Sequence, residues 1–337
     1  MKNWPDHLKA CWFVATPSRD LQGQPRAIEV LDVPLALARD DQGRAFALVD
    51  RCPHRQVPLS AGRITEDGLQ CPYHGWTFGS DGRCRKIPGL LPGEPPALVS
   101  AQSVQCREAG GWVWVKLDAA GAVAPPVSMT SPLESATVMA WSDRWNTSAI
   151  DAIENFLDPL HTHTIHPGLV RRDKQRSVVT AKISIGGDGF TVDYRGQERQ
   201  SGWLYRMFES ERSKERVVFG GAASARIEYG YKNGSEVHFT LHFTPETSSR
   251  TRVFGRVEIS GRRAPKWLLQ LLVSPMLLKI ARQDQAILEM QHANKQKFPP
   301  ARDVSTRLDI VRPYLDHFWS GGSGGLDLVG HEVLMFI

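Results

Sequence analysis

Cysteine is scarce in this chain, and long runs of one charge are missing. The 337 residues include only five cysteines, an odd number, which argues against a disulfide framework and favours a reducing compartment such as the cytoplasm. The net charge of +5 is mild, and no block of like charges stands out. We therefore expect no nucleic-acid-binding arm.

Long apolar segments are also missing. The most apolar stretch, residues 267–280, contains Pro275 and Lys279 and is shorter than the roughly 20 residues that a transmembrane helix needs. The first residues do not show the basic and then apolar order of a signal peptide. We expect a cytoplasmic protein with no transmembrane segment.

Length and turn signals predict two domains of different character. At roughly 150 residues per domain, the chain is long enough for about two. Up to residue 120, short apolar runs such as 35–38 and 45–49 alternate with turn residues, which predicts an all-β domain. Residues 121–135 are rich in Ala, Pro and Ser and are interpreted as a linker.

The region from 136 to 337 mixes helices with strands. A helix is expected shortly after Ser148 and another from about Trp267 to Lys295, with strands at 178–185, 236–243 and 252–259 between them. The fold class is therefore α+β, with an antiparallel sheet and helices in this second domain.

Two short motifs carry the strongest chemical signal. The first is Cys52-Pro-His54, and the second is Cys71-Pro-Tyr-His74. Two thiolates and two imidazoles are the ligand set of a Rieske-type [2Fe-2S] cluster, but also of a tetrahedral zinc site. Zinc fingers usually supply both cysteines before both histidines, so the Cys-then-His order of each motif favours the cluster.

A cluster would need an electron source outside this chain. The sequence has no Gly-x-Gly-x-x-Gly dinucleotide motif and no Cys-x₄-Cys-x₂-Cys motif of plant-type ferredoxins. We therefore expect a separate NAD(P)H-dependent reductase, with or without a ferredoxin.

A second metal site is suggested by two histidines and one carboxylate. His161, His166 and Asp284 would form the two-histidine, one-carboxylate triad of non-haem Fe(II) oxygenases, which leaves coordination positions open for O₂ and substrate. Asp284 is chosen because helical spacing places it in an apolar stripe with Ile280, Ile287 and Met290, where an unpaired charge is costly. Taken alone, each of the three could instead be an ordinary core or surface residue that binds no metal.

Two further residues before His161 are candidates for the site. On a helix, Asp158 would share a face with His161 and could accept its second ring N–H. Asn155 lies one turn earlier and would border the iron, while His163 would point to another face. The alternative for both candidates is a solvated helix surface.

Together these residues resemble the oxygenase (α) component of the Rieske non-haem iron oxygenases. The resemblance is carried by the two Cys/His motifs, by Asn155-x₂-Asp158-x₂-His161-x₄-His166 and by Asp284, and it spans most of the chain. The length and the string at 243–247 look most like the vanillate demethylase and toluenesulfonate methyl-monooxygenase branch. Pro159 departs from that branch and leaves the substrate class open.

The resemblance implies an architecture and an activity. It implies a Rieske domain followed by a helix-grip-like catalytic domain, in a homotrimer where Asp158 connects His161 to a cluster histidine, such as His74, of another subunit. The implied activity is O₂-dependent monooxygenation or oxidative demethylation of a small aromatic or cyclic substrate. The alternatives are aromatic cis-dihydroxylation and an electron carrier without oxygenase activity.

Overall fold

The computed structural model divides the chain into two compact units. One comprises Met1–Thr130 with Glu246–Ser248, and the other comprises Ser131–Pro245 with Ser249–Ile337. The structure describes residues 4–118, 136–171, 176–186, 189–196, 210–221, 223–261, 266–300, 303–322 and 332–337, and single positions at 125, 129, 133 and 134. Most of the predicted linker, 121–135, lies outside these residues, so the predicted domain boundaries stay a prediction.

In its described residues, the first unit contains two antiparallel sheets, one short α-helix, α1 (Asp6–Lys9), and two 3₁₀ helices, Ser18–Asp20 and Leu59–Ala61. Its six-stranded sheet has the order β1-β10-β9-β4-β3-β2, and its four-stranded sheet has the order β5-β6-β7-β8. The strands are β1 (Phe13–Pro17), β2 (Arg26–Val30), β3 (Val33–Arg39), β4 (Ala45–Val49), β5 (Arg63–Thr65), β6 (Gly68–Gln70), β7 (Thr77–Phe78), β8 (Cys84–Lys86), β9 (Ser103–Ala109) and β10 (Trp112–Lys116).

The Cys/His motifs lie on two loops of this unit. One loop follows β4, and the other connects β6 to β7. Both cysteines belong to a buried apolar cluster with Leu59, Leu69 and Phe78. The loops are therefore anchored by the hydrophobic core at their cysteine ends.

The second unit is built on one eight-stranded sheet with the order β11-β17-β16-β15-β14-β13-β12-β18. Along β12, alternate residues are buried, as expected for a sheet with one face against a core. The strands are β11 (Thr137–Trp145), β12 (Val178–Gly186), β13 (Gly189–Arg195), β14 (Arg212–Gly220), β15 (Ser224–Tyr231), β16 (Glu236–Thr247), β17 (Arg250–Ser260) and β18 (Glu332–Phe336).

The described helices of this unit are α2 (Ala149–Leu157), α3 (Thr162–Ile165), α4 (Lys266–Lys295) and α5 (Arg312–Trp319). Ser148 caps α2 by accepting the Asp151 N–H at 3.2 Å. The predicted α+β class, the helix after Ser148, the long helix to Lys295 and the three named strands are all confirmed. None of the helices that the structure describes is long and apolar enough to cross a membrane.

Arg312 connects α5 to α2, the helix that leads into the metal site. Its Nη1 donates to Asp151 at 3.0 Å and to Glu154 at 2.7 Å, and the guanidinium side chain is 19% exposed. Burial raises the pKa of Glu154, and Arg312 partly offsets that shift. The arginine is thus the short-range cationic partner of the buried Asp151 and the half-buried Glu154, while Lys295 Nζ lies farther from Asp151, at 3.8 Å.

Replacing Arg312 with methionine should therefore destabilise the protein by about 3 kcal/mol, because removing one partner leaves buried charge uncompensated. The thermal unfolding midpoint should fall by roughly 6 to 12 °C. The control is Arg83→Met, since Arg83 forms only an exposed pair with Asp81 and should shift the midpoint very little. Equal midpoints for the two variants would contradict the assignment.

Candidate metal centres and active site

The two Cys/His loops share one backbone geometry. In the first, the Cys52 N–H donates to the Val57 carbonyl and the Gln56 N–H donates to the Cys52 carbonyl, both at 2.9 Å. In the second, the Cys71 N–H donates to the Trp76 carbonyl at 2.8 Å and the Gly75 N–H donates to the Cys71 carbonyl at 3.2 Å. The two cysteines are therefore presented by equivalent turns.

Each turn needs a left-handed residue at the same position, four after the cysteine. Gly75 has a φ of 71°, as expected for glycine, and Gln56 adopts 64°. A Cβ on Gly75 would also approach Pro88 Cγ to 2.8 Å. The second loop therefore favours glycine for its backbone conformation and requires it for space.

Burial separates the sulfur ligands from the nitrogen ligands. Cys52 and Cys71 are 1% and 3% exposed, while His54 is partly exposed and His74 is exposed. The two imidazole centroids are 4.7 Å apart, and the His54 ring stacks on Trp76 at 4.4 Å. This arrangement suits a cluster whose histidine side faces a redox partner.

The local electrostatics fit metal ligation at this site. Burial, together with the neighbouring Cys71 thiol, raises the pKa of Cys52, so a bound metal would have to supply the positive charge that stabilises the thiolate. Burial and the positive charges of His74 and Arg55 lower the pKa of His54, which keeps the imidazole neutral and able to donate its lone pair.

The second site begins where α2 ends. The helix stops at Leu157 and Asp158 has extended backbone, because the residue before a proline is disfavoured in helical conformation. The expectation that Asp158 and His161 share a face of one helix is therefore wrong. They are instead brought together by a turn in which Asp158 Oδ1 accepts the Leu160 N–H at 2.9 Å.

His161, His166 and Asp284 converge as the sequence predicted. One potential ligand atom from each lies within 4.8 Å of the others. His166 Nε2 is 3.0 Å and His161 Nε2 is 3.5 Å from Asp284 Oδ1. Among the described residues, His166 Nε2 and Asp284 Oδ1 are buried and make no hydrogen bond of acceptable geometry. Two nitrogens, one carboxylate and these unsatisfied atoms fit a mononuclear iron.

The other ring nitrogens of the two histidines face polar groups. His166 Nδ1 lies 3.0 Å from Gln283 Oε1, and His161 Nδ1 lies 4.0 Å from Asp158 Oδ2. A proton on His166 Nδ1 is held by the amide oxygen, which leaves Nε2 free to bind a metal. Sequence reasoning missed Gln283, although its place next to Asp284 was a usable signal.

Burial lowers the pKa of His161 to about 4, so this imidazole is neutral at neutral pH. For His166, burial acts to lower the pKa, but the contacts with Asp284 and Gln283 have the larger combined effect. The pKa of His166 is therefore raised. Burial raises the pKa of Asp158 to about 6, against the opposing effect of the Leu160 N–H.

The apolar stripe used to select Asp284 is only partly correct. Ile280 lines the cavity beside the triad, but Ile287 is 38% exposed and Met290 is 65% exposed. The choice of Asp284 is supported by the geometry of the triad and not by a continuous buried stripe. His163 is buried and is not part of the converging group, as expected.

A cavity of about 140 Å³ opens beside the triad. Asn155 and Asp158 line it, together with aromatic and aliphatic side chains from the sheet and from α4. Trp141 is one of these, and its ring lies against Gly255 on the neighbouring strand, where no side chain would fit. The cavity is thus mainly apolar, as small-molecule sites usually are.

One part of the cavity wall is charged. Arg171 Nη1 donates to the Pro159 carbonyl at 3.0 Å, and Arg171 Nη2 lies 3.7 Å from Glu215. Glu215 also accepts from Arg212 at 2.7 Å. These charged groups are buried and paired, so the arginine holds the Asp158–Pro159 turn in place.

Comparisons with known proteins identify two family domains in this chain. Residues 11–103 match the model of the Rieske [2Fe-2S] domain, and residues 145–312 match that of the vanillate O-demethylase oxygenase C-terminal domain. The Rieske match decides between the cluster and zinc readings of the Cys/His motifs in favour of the cluster.

The chain is also similar to curated oxygenases. It is 31% identical over 219 residues to pheophorbide a oxygenase of Oryza sativa subsp. japonica, covering 59% of this chain and 40% of that protein. It is 40% identical over 108 residues to the oxygenase component of dicamba O-demethylase of Stenotrophomonas maltophilia, covering 32% of each. These matches span well under two thirds of the relatives' own length.

Solved structures show the same fold. Dicamba monooxygenase bound to dicamba superimposes with a TM-score of 0.73 at 20% identity, covering 92% of this chain and 96% of that one. NdmA of Pseudomonas putida with caffeine gives 0.75 at 22% identity, covering 93% and 90%. A Rieske domain joined to a sheet-rich domain with a two-histidine, one-carboxylate site defines an iron-dependent oxidoreductase. The chain belongs to the Rieske non-haem iron oxygenases, in the branch with a vanillate O-demethylase type of C-terminal domain.

Gln283→Leu should weaken iron binding at the triad by about 10- to 100-fold, because His166 loses the acceptor that fixes its ring and tautomer. Gln283→Glu should restore binding, since a carboxylate can accept the same bond. The measurement is iron retained against a competing chelator, with cluster absorption as the internal reference.

The matched control for this experiment is Gln285→Leu. Gln285 lies on the same helix but contacts Arg144 and Glu289 instead of His166. Similar iron loss in Gln285→Leu and Gln283→Leu would point to general damage of α4 and against a specific role of Gln283.

Proposed function

We propose that this protein is the terminal oxygenase component of a multicomponent system that monooxygenates or oxidatively demethylates a small aromatic or cyclic substrate. The observation that carries the proposal is the convergence of His161, His166 and Asp284 beside an apolar cavity in a chain that also has Rieske cluster loops. An electron carrier alone would not need the second site. Two proteins similar to this chain, dicamba O-demethylase and the methylxanthine N1-demethylase NdmA, are named as demethylases, and this supports the proposed reaction class.

The proposed roles of the residues follow from their positions. Cys52, Cys71, His54 and His74 hold the [2Fe-2S] cluster, and the triad holds Fe(II). When bound, the cluster supplies electrons one at a time and the ferrous iron supplies open positions at which O₂ is reduced. Among the remaining side chains, Asn155 borders the substrate cavity and the aromatic wall excludes water around it.

Asp158 is proposed to connect the two sites. Its carboxylate faces His161 Nδ1, and in a head-to-tail homotrimer it would also face the partner subunit's His74. Electrons would come from a separate NAD(P)H-dependent reductase, with or without a ferredoxin.

In the proposed reaction, one oxygen atom of O₂ enters the substrate and the other leaves as water, which requires two electrons and two protons. A hydroxylated O-methyl or N-methyl group then leaves as formaldehyde. The cytoplasm is the proposed compartment, since none of the five cysteines, all of which the structure describes, forms a disulfide.

The test is turnover of the purified, iron-loaded protein with a surrogate reductase, NADH and ¹⁸O₂. The substrate panel contains methyl ethers, N-methyl compounds and aromatic acids. Formaldehyde release, or a product with one ¹⁸O atom, is the expected result. A cis-diol with two ¹⁸O atoms as the only product would replace the proposal with dihydroxylation. Absence of substrate-dependent O₂ uptake in protein with both metal sites filled would favour an electron carrier.

A further inference from the structure

Two hydrogen-bond donors in the cavity wall lack a partner among the residues that the structure describes. Tyr194 and Trp145 both line the cavity and are 7% and 3% exposed. Within the described part of the chain, neither the Tyr194 hydroxyl nor the Trp145 Nε1–H makes a hydrogen bond. A buried polar group without a partner costs free energy, which a ligand bearing the right acceptor would recover.

The two donors lie in different parts of the sheet. Trp145 ends β11, an edge strand, while Tyr194 lies on β13, which is five strands away in the sheet order. Tyr194 is directly opposite Glu215 on the neighbouring strand and is close enough to Asp158 to feel its charge. Tyr194 thus lies near the turn that leads to His161.

The surroundings of Tyr194 keep its hydroxyl protonated. Burial, followed by the negative charges of Asp158 and Glu215, raises its pKa well above the usual value, against the opposing effect of Arg171. The group is therefore neutral and available as a donor at any physiological pH.

The charged neighbours are already engaged with the protein. Arg171 donates to the Pro159 carbonyl and contacts the Thr162 hydroxyl at 3.4 Å. Glu215 accepts from Arg212, whose guanidinium also lies 4.1 Å from the Tyr229 ring centroid. Both arginines at this wall are already paired with Glu215, so the neutral hydroxyl is the group left to bind a ligand, and an anionic group would be buried there without a cation of its own.

We propose that Tyr194 donates a hydrogen bond to an uncharged oxygen of the substrate, a carbonyl, ether or phenol oxygen on a single ring, and so determines specificity. The cavity has room for a single ring, because a cavity of about 150 Å³ is known to hold benzene and this one is about 140 Å³. The inference rests on the proposed function, since it names the substrate class of the same site. A site built to bond an oxygen selects against analogues that lack it.

The experiment measures binding without turnover. Iron-loaded full-length protein is titrated under argon, in a calorimeter, with acetophenone, ethylbenzene and benzoate. All three probes contain one benzene ring. Acetophenone also carries a neutral oxygen, ethylbenzene carries no hydrogen-bond acceptor, and benzoate carries a carboxylate. We expect acetophenone to bind roughly threefold to tenfold more tightly than ethylbenzene, with benzoate the weakest.

Tyr194→Phe should abolish the preference for acetophenone and leave the dissociation constant of ethylbenzene unchanged. Trp145→Phe is the matched control, since it removes the other unpartnered donor and should keep the preference. Cluster absorption and iron content of Tyr194→Phe should equal those of the wild type, because the hydroxyl supports no contact within the described residues.

Three results would overturn the inference: an unchanged preference in Tyr194→Phe, tightest binding of benzoate, or binding of none of the three probes. The proposed function is judged separately by substrate-dependent O₂ uptake. Loss of the acetophenone preference in a protein that still consumes O₂ with substrate would support both proposals. Normal O₂ uptake with an unchanged preference would reject only the role of Tyr194.

Discussion

Replacing Asp284 with alanine is expected to remove the mononuclear iron and leave the cluster in place. Iron content should fall from about three to about two per chain, while the visible spectrum of the histidine-ligated cluster is retained. Asp284 Oδ1 is the atom toward which both His161 Nε2 and His166 Nε2 point, so its loss removes the centre of the triad. Substrate-dependent O₂ uptake should fall below about 1% of the wild-type rate, because even outer residues of such sites change activity by 10- to 100-fold.

The matched control for Asp284 is Glu289→Gln on the same helix. Glu289 accepts hydrogen bonds from Asn146 and Gln285 and does not contact the triad. Glutamine retains an accepting oxygen, so this variant should keep about three irons. Three irons and normal turnover in Asp284→Ala would show that another carboxylate completes the site.

The cluster loops could be predicted from sequence because their information is local. Each loop places its cysteine and histidine within four residues, and one short turn fixes their relation. The equivalence of the loops was not predicted, since nothing at the sequence level indicated that Gln56 would take the left-handed conformation that Gly75 takes. The observed fold of this region follows the predicted strands closely, with β4 at Ala45–Val49 as expected.

The mononuclear site depends on long-range contacts, which the sequence predicts less completely. Asp284 was identified, but Ile287 and Met290, two of the three stripe residues cited for it, are exposed. Gln283 and Arg171 gave no periodic signal, because each acts through one contact made by the folded chain: Gln283 with His166, and Arg171 with the Pro159 carbonyl. Spacing alone does not predict such contacts.

The cavity wall was the least predictable feature. It combines side chains from β11, β13 to β16, α2 and α4, and Tyr194 is separated from Asp284 by 90 positions in the numbering. Aromatic residues are common in cores, and Phe219, one of the described aromatics of the second domain, indeed packs on Phe190 and Phe318. Only the tertiary structure separates cavity aromatics from core aromatics.

Asp158→Asn is expected to preserve both metal sites but to slow the transfer of electrons between them. Asparagine can still accept the Leu160 N–H that holds the turn at 2.9 Å, so the backbone should be maintained. It lacks the negative charge that faces His161 Nδ1. In a single-turnover experiment, reoxidation of the pre-reduced cluster by O₂ and substrate should slow by about 100-fold, with about three irons retained.

The control for Asp158→Asn is Asp81→Asn, since Asp81 Oδ1 accepts the Arg83 N–H at 3.0 Å in the same two-residue pattern but lies in the other unit. In that variant, the cluster should be reoxidised at the wild-type rate.

Co-expression of Asp158→Asn with Cys71→Ser tests whether the electron-transfer route crosses between subunits. In a mixed oligomer, the Asp158→Asn chain keeps its cluster and the Cys71→Ser chain keeps its Asp158. Only a route that crosses between subunits can use both groups, so such a route should restore part of the turnover. Mixed oligomers without any recovery would mean that the electron stays within one chain.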